Sequence, residues 1–487
     1  MECKQRTHLR QARLRKGWTI ERAAEEFGVG PNTIYRWEQG LSMPYPHFRQ
    51  ALCQTYGLPA HELDLAEPEA VLPVRPVSSR TALLAAVPLP LPALEKASHE
   101  QLDGRLHCLV YDWLYRRKSS WPLSHLQEQL SHEIESYDTM NPQDHPNHPG
   151  IDEGRRRTLR TLALIPLQAL GLGAISHSLK LSWGPQEFLT HCSAGVTACH
   201  YLAKGQHEDI AVSVEAVTAY LPTLQRLVTE SSHYRKEAAN LAAQCLLLKA
   251  TLAVHREGIQ QATADIQQAL IYAETSEDLP LQLAILHRQV WIAICGKQPG
   301  QALNAALRIQ SLLEHPTMSL APLILTSAYA GIAKGQATNL RRQETLAALS
   351  QMYDTSAEIT DEENPAYLGY DGPAYYTGQV HYYMGQYNEA FAAFAKVVDP
   401  QTQALKLPVA SERSRIETIN RLTLAALKRP QKDKELIVPL WMAGMQGAKD
   451  LRSEQRYEEA LTAYGIMEAL WSDDPQIRDL RDLMGHW

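Results

Sequence analysis

The chain has 487 residues, 45% hydrophobic and 21% charged, with a formal net charge of −7. That is ordinary for a folded globular protein and too long for one simple core, so about two to four domains are expected and wholesale disorder is excluded. Only five Phe are present, while Ala and Leu recur throughout, which favours helices over sheets and predicts an all-α chain.

The most apolar stretches, Thr81–Leu94 and Leu162–Ile175, run about 14 residues, short of the roughly 18–20 that a membrane-spanning helix needs. The charged N-terminus carries no secretory pattern. Seven cysteines, an odd number scattered from Cys3 to Cys295, make no disulfide framework. A reducing cytoplasm, with no membrane, is the expected setting. Residues 1–50 hold nine basic side chains against five acidic, a balance of +4, so the remaining 437 residues carry −11. A basic head on an acidic body is the charge layout of a protein that meets phosphate only with its head.

Residues 1–65 read as one compact unit of five short helices. The first, about Leu9–Lys16, ends at Gly17, a residue favoured just past a helix. Thr19 stands as N-cap for Ile20–Phe27, Gly28 closes that helix, and Val29-Gly30-Pro31 makes the turn. Pro31 takes the first helical position, where its missing N–H costs nothing. Asn32–Gln39 forms the next helix, followed by about Pro46–Tyr56 and a last turn over about Ala60–Leu65. Two short helices joined by a tight Gly-containing turn are the helix-turn-helix signature. Ala24, Phe27, Val29, Ile34 and Trp37 supply the packing beneath. Asn32, Thr33, Tyr35 and Arg36 occupy the outer face, where Asn pairs bidentately with adenine and Arg with guanine in the major groove; Tyr35 either stacks on sugar or covers the core.

The run Thr19-Ile20-Glu21-Arg22-Ala23-Ala24-Glu25-Glu26-Phe27-Gly28-Val29-Gly30-Pro31-Asn32-Thr33-Ile34-Tyr35-Arg36-Trp37-Glu38-Gln39-Gly40, with Pro44 and a closing Gly57-Leu58-Pro59-Ala60-His61-Glu62-Leu63, resembles the phage repressor and Cro type of domain, lambda-repressor-like in fold. The resemblance implies that Asn32–Gln39 is the recognition helix and that Thr19, Pro31, Asn32, Thr33, Tyr35 and Arg36 lie against double-stranded DNA. It also implies that Glu38 bonds within the domain. Where that family often carries a phosphate-binding Gln, this chain has Ile20.

Residues 66–98 hold six prolines, which suppress helix and predict an extended linker. Residues 99–230 read as a helical middle region, with Trp113, Tyr115, Trp121 and an amphipathic Leu123–Tyr137. A Pro- and His-rich loop follows from Asp138 to Gly154. Its histidines, with His132 just upstream, match no defined metal spacing. Arg155, Arg156, Arg157 and Arg160 either meet phosphate or acidic peptide or simply open a charged helix. Cys192 and Cys199 share one helix face beside His191 and His200. Seven residues is too wide for the usual paired-thiolate zinc spacing, so buried packing is expected, with no metal and no cofactor.

From residue 231 to the end, Ala/Leu-rich helices alternate with short turns, as helical hairpins that stack into a solenoid do. The clearest hairpin is Ala374–Pro400, in which Gly378, Gly385, Tyr387, Ala390, Phe394 and Pro400 resemble the tetratricopeptide pattern. Tyr457, Ala460 and Tyr464 reproduce the spacing of Tyr387, Ala390 and Phe394. Further hairpins read as Glu237–Thr275, Leu279–Leu313 and Ser319–Asp354. The inner face of a solenoid commonly holds a peptide or partner helix; Asn240, Gln244, His287, Gln289, Tyr329, Tyr375, Gln379 and Tyr382 are the candidate lining residues.

No phosphate-binding Gly loop, nucleophile elbow or paired metal-binding histidines are present, and Asp361-Glu362-Glu363 reads as a solvated loop, so no enzymatic activity is expected. A repressor-type head joined to tetratricopeptide-like repeats resembles peptide-sensing bacterial regulators of the quorum-sensing kind, and less characterised helix-turn-helix proteins with long repeat tails from soil bacteria. That resemblance implies a homodimeric transcription regulator that switches DNA affinity when a peptide or protein binds the repeats. The alternative is a repeat scaffold or adaptor whose head is accessory or binds protein.

Overall fold

A computed structural model of the chain describes residues 7–27, 31–38, 44, 52, 55–58, 60–65, 106, 123–140, 153–169, 184–205, 207–314, 319–359 and 365–485. Among them the only extended pairing is one bridge between Val398 and Leu405; the rest is helix and turn. The chain divides into two compact units, residues 1–92 and 93–487.

In the first unit, α1 (Thr7–Arg15), α2 (Ile20–Phe27) and α3 (Pro31–Glu38) precede a 3-10 turn, Ala60–Leu63. Gly17 ends α1 at φ +70°, a conformation that disfavours any Cβ. Thr19 caps α2: its Oγ1 accepts the Arg22 N–H at 3.1 Å. Pro31 opens α3, as the sequence predicts. Leu9, Ala23, Ala24, Phe27, Ile34, Trp37, Leu52, Leu63 and Leu65 form its buried core. Asp64 ties the two ends together by accepting the His8 backbone N–H at 3.0 Å. Of the expected fourth helix only Leu52, Thr55 and Tyr56 are described, all helical. Val29 and the Gly28–Gly30 turn lie outside the described residues.

The second unit contains α4 (Leu123–Met140), α5 (Glu153–Ala169), α6 (Pro185–Leu202), α7 (His207–Glu230), α8 (Arg235–Arg256), α9 (Ile259–Ser276), α10 (Leu279–Cys295), α11 (Pro299–Glu314), α12 (Pro322–Ala337) and α13 (Arg342–Ser356). It continues with α14 (Pro373–Tyr383), α15 (Tyr387–Val397), α16 (Glu412–Lys428), α17 (Lys434–Asp450), α18 (Glu454–Leu470) and α19 (Pro475–Asp479). The linker 66–98, the segment holding Trp113, Tyr115 and Trp121, and most of the His-rich loop fall outside the described residues. Asp138–Met140 are helical, an extension of α4 beyond the expected end at Tyr137.

Helix starts in this unit are written locally. Asp278 accepts the Leu281 N–H at 2.9 Å, Asp433 and Ser453 cap α17 and α18 in the same way, and each satisfies a donor that an uncapped helix leaves open. Consecutive helices from α8 onward pack in hairpins. In the hairpin α14–α15, a Cβ at Gly378 would stand 2.6 Å from the buried Phe394 ring, and Gly385 turns the chain at φ +74°. The small-residue crossing read from the sequence is therefore real. Tyr457, Ala460 and Tyr464, whose spacing matches a second hairpin helix, lie on α18, which packs against α16 and α8 as a first helix does.

The alternate helices α8, α10, α12, α14, α16 and α18 touch in series, and α18 returns to touch α8. His255 on α8 meets Ser453 at the start of α18, Nδ1 to Oγ at 2.7 Å. The Glu412 N–H at the start of α16 donates to the Lys204 carbonyl at 3.4 Å. One buried core continues across residue 230, joining Val228 to Ala238. By composition α8 is long and apolar enough to cross a membrane, but 83% of its apolar window is buried inside the unit, the condition of a core helix.

Candidate functional site

In the head, Ile34, Trp37 and Glu38 are buried on one side of α3, while Tyr35 is 47% exposed. The 3.6-residue period then places positions 32 and 36 on the opposite side, with positions 33 and 35 on its two flanks. Its exposure makes Tyr35 an outward group and not a cover for the core. The side chains of Pro31, Asn32, Thr33 and Arg36 lie outside the described part of the structure. Thr19 is exposed, with its hydroxyl engaged in the cap. Ile20 is half-buried against the core, so its side chain serves packing.

Glu38 holds α3 to α1. Arg13 Nε and Nη2 donate to its two carboxylate oxygens at 2.5 and 3.0 Å, both residues buried, and Arg13 Nη1 donates to the Trp18 carbonyl at 2.7 Å. A two-point buried pair of this kind fixes orientation. One of the nine basic groups of residues 1–50 is therefore internal. Arg10, Arg15, Lys16 and Arg22 are exposed.

In the body, three of the four arginines of the α5 run have partners inside the unit, while Arg157 is exposed. Arg155 lies over the Tyr201 ring at 5.8 Å, and Arg156 and Arg160 converge on the buried Asp209 at 3.5 and 2.8 Å. Cys192, Cys199 and Cys245 are buried together, and burial pushes each thiol up from its usual range, as small apolar groups in a core.

The helices that touch in series, with the end of α6, line a partly open cavity with about 90 Å³ accessible to the centres of water molecules. Three of the eight expected lining residues meet there: His287, Tyr375 and Gln379. Gln379 Nε2 donates to Glu417 Oε1 at 2.9 Å. The other five are placed elsewhere. Asn240 donates to Asp278 at 2.8 Å, and Gln244 exchanges bonds with Gln127 of α4 at 3.0 Å. Gln289 lines a separate hollow with Arg308 and Asn304. Tyr329 packs against the core, and Lys428 and Arg421 stand over the Tyr382 ring at 4.8 and 4.9 Å.

The cavity also gathers His200, His255, Arg288, Lys334, Asp371, Arg413, Glu417 and Arg456, none of which the sequence reading selected as lining. A signal existed: Lys334 is the one charged residue of α12, and Arg288, beside His287, the one Lys, Arg, Asp or Glu of the apolar α10. Buried charge in an apolar helix face needs a partner or a purpose. Arg456 meets Glu417 at 2.6 Å and Glu459 at 2.7 Å, and Arg421 meets Glu459 at 3.4 Å. Burial, aided by nearby cations, drives His200 down to about 3 and His255 and His287 well below their usual value, so all three are neutral at neutral pH.

Among known proteins, a family model described as a helix-turn-helix domain matches residues 6–66. No curated protein and no solved structure matches the chain.

Proposed function

With a helix-turn-helix DNA-binding domain at residues 6–66, we propose that the chain is a sequence-specific transcription regulator. Its head is a five-helix domain of the phage repressor and Cro type, with Asn32, Thr33, Tyr35 and Arg36 on the base-reading side and Thr19 and Pro31 at the helix starts that face the backbone. Its body is a tetratricopeptide-like solenoid, acting as a ligand-binding part, and two copies together read two half-sites in the bacterial cytoplasm. One small module has modest affinity alone, and pairing raises it.

The observation that carries the reading is the exposed Tyr35 on α3, outside the face that buries Ile34, Trp37 and Glu38, within the segment that the family model matches. The test is a salt titration of the full chain on its own upstream promoter fragment against random duplex. Specific binding should weaken steeply with salt, and Arg36→Ala should lower it about 10-fold or more, the worth of a bidentate guanine contact. Binding indifferent to sequence, or unchanged in Arg36→Ala, would instead favour the scaffold reading.

A further inference from the structure

We propose that the inner cavity of the body binds a small anion with two or more negative charges, a phosphate or a dicarboxylate, held by Arg288, Lys334 and Arg413. The inference deepens the reading of the body as the ligand-binding part and rests on it for its regulatory meaning. It stands on a charge imbalance. Arg421 and Arg456 are matched by Glu417 and Glu459 in the buried cluster described above. That leaves Lys204, Arg288, Lys334 and Arg413 lining the same cavity, the last three with no carboxylate within 4 Å among the described residues. The one remaining acid of the lining, Asp371, accepts the Ala410 N–H at 2.8 Å and neutralises at most one of the three.

The cations are positioned for an absent partner. Arg413 is only 8% exposed; its Nη2 donates to the Ala203 carbonyl, while its Nη1 is buried with no hydrogen-bond partner. His200 Nε2, on the same lining, is likewise buried without one. Lys334, 3% exposed, has its ammonium over the Tyr376 ring at 5.1 Å, and Arg288 lies over Trp291 at 5.3 Å. A guanidinium or ammonium desolvated in this way is costly unless an anion meets it, and charge-assisted bonds to an oxyanion are among the strongest available. A volume of about 90 Å³ for water centres suits a small ligand and not an extended peptide.

Lys334 makes the binding pH-dependent. Burial, with Arg288 adding, lowers its ammonium to about 7. Tyr376, His287, Arg288, Asp371 and Glu417 face it from α10, α14, α16 and the segment before α14. An anion favours the protonated form, so affinity should fall as pH rises above about 7.

Isothermal titration of the full chain with inorganic phosphate and with succinate, at matched chloride ionic strength and neutral pH, tests this, with the pH series run on succinate, which stays a dianion through that range. Saturable uptake of phosphate alone assigns a phosphoryl ligand, and of succinate alone a carboxylate ligand. Arg413→Gln and Lys334→Met should each weaken binding at least tenfold, whereas Lys334→Arg should keep binding and lose the pH dependence. Absence of saturable uptake of either anion by the folded wild-type chain overturns the inference, as does unchanged affinity in Arg413→Gln and Lys334→Met. Arg36→Ala should bind the anion as wild type does. Anion uptake with no effect on promoter affinity keeps the site and rejects its regulatory role; specific promoter binding without anion uptake rejects the site and keeps the DNA-binding regulator.

Discussion

The head and the body use buried arginine in opposite ways. In the head, the one described buried arginine, Arg13, is fully matched by Glu38, and the exposed cations face solvent, where a polyanion can reach them. In the body, whose share of the sequence is strongly acidic, matched pairs surround a remainder of cations turned inward on a cavity. Net charge by segment therefore describes only what a large partner meets at the surface. The sign of an interior is set by a handful of side chains and is invisible to the sum.

The comparison is broken most directly by removing one acid from each unit. Glu38→Ala removes the carboxylate that meets the buried Arg13 in the head, and Glu417→Ala leaves Arg456 and Arg421 to share Glu459 in the body. Each upsets a buried charge match and should cost roughly 3–5 kcal/mol, read as a lowered midpoint in urea. A loss under about 1 kcal/mol in the body would mean that its cluster is not the matched set described.

Lys334→Met should move stability the other way. Its lowered pKa means that the folded chain disfavours the charged form, so the wild type gains stability as pH rises from about 7 towards the unfolded value and loses it as pH falls. The variant should therefore gain on the order of 2 kcal/mol without ligand at pH 6.5, allowing for the lost contact with Tyr376. That gain should shrink at pH 10. A destabilised variant would place Lys334 among matched groups, as Arg13 is.

The buried histidines sharpen the contrast through acid. With their pKa values depressed, His200, His255 and His287 bind no proton in the folded chain while the unfolded chain takes them up, so stability is whole above about pH 6.5 and falls below it. Each should contribute a slope of roughly 1.4 kcal/mol per pH unit, and His255→Gln should remove its share from a melting series between pH 6.5 and 5. The smallest effect is in the head: Thr19→Ala, which removes the cap of α2, should cost about 1 kcal/mol, with Thr19→Ser restoring it.

Most of what was legible in advance was local. Gly17, Thr19, Pro31 and Gly385 end or begin helices where the sequence places them, because a cap, a missing N–H or a positive φ depends on a few neighbouring atoms. Glu38 inside the head and Gly378 beneath Phe394 were readable for a related reason: a motif carries its own packing partners at fixed spacing. The burial of Cys192 and Cys199 followed from their shared helix face. The expected lining residues divided, since a helix period tells which residues share a face but not which neighbour that face meets; His287, Tyr375 and Gln379 reached the cavity, while Asn240 and Gln244 were taken up by Asp278 and Gln127.

By itself, then, the sequence determined the helical character of the chain, the helix-turn-helix head and the phase of its outward face, all of which arise within one or two turns of backbone. The tertiary structure alone decided that α18 returns to α8 and that Arg288, Lys334 and Arg413 share one cavity. Those three come from different hairpins, and their meeting depends on which hairpins pack together across the unit. No local pattern encodes that packing.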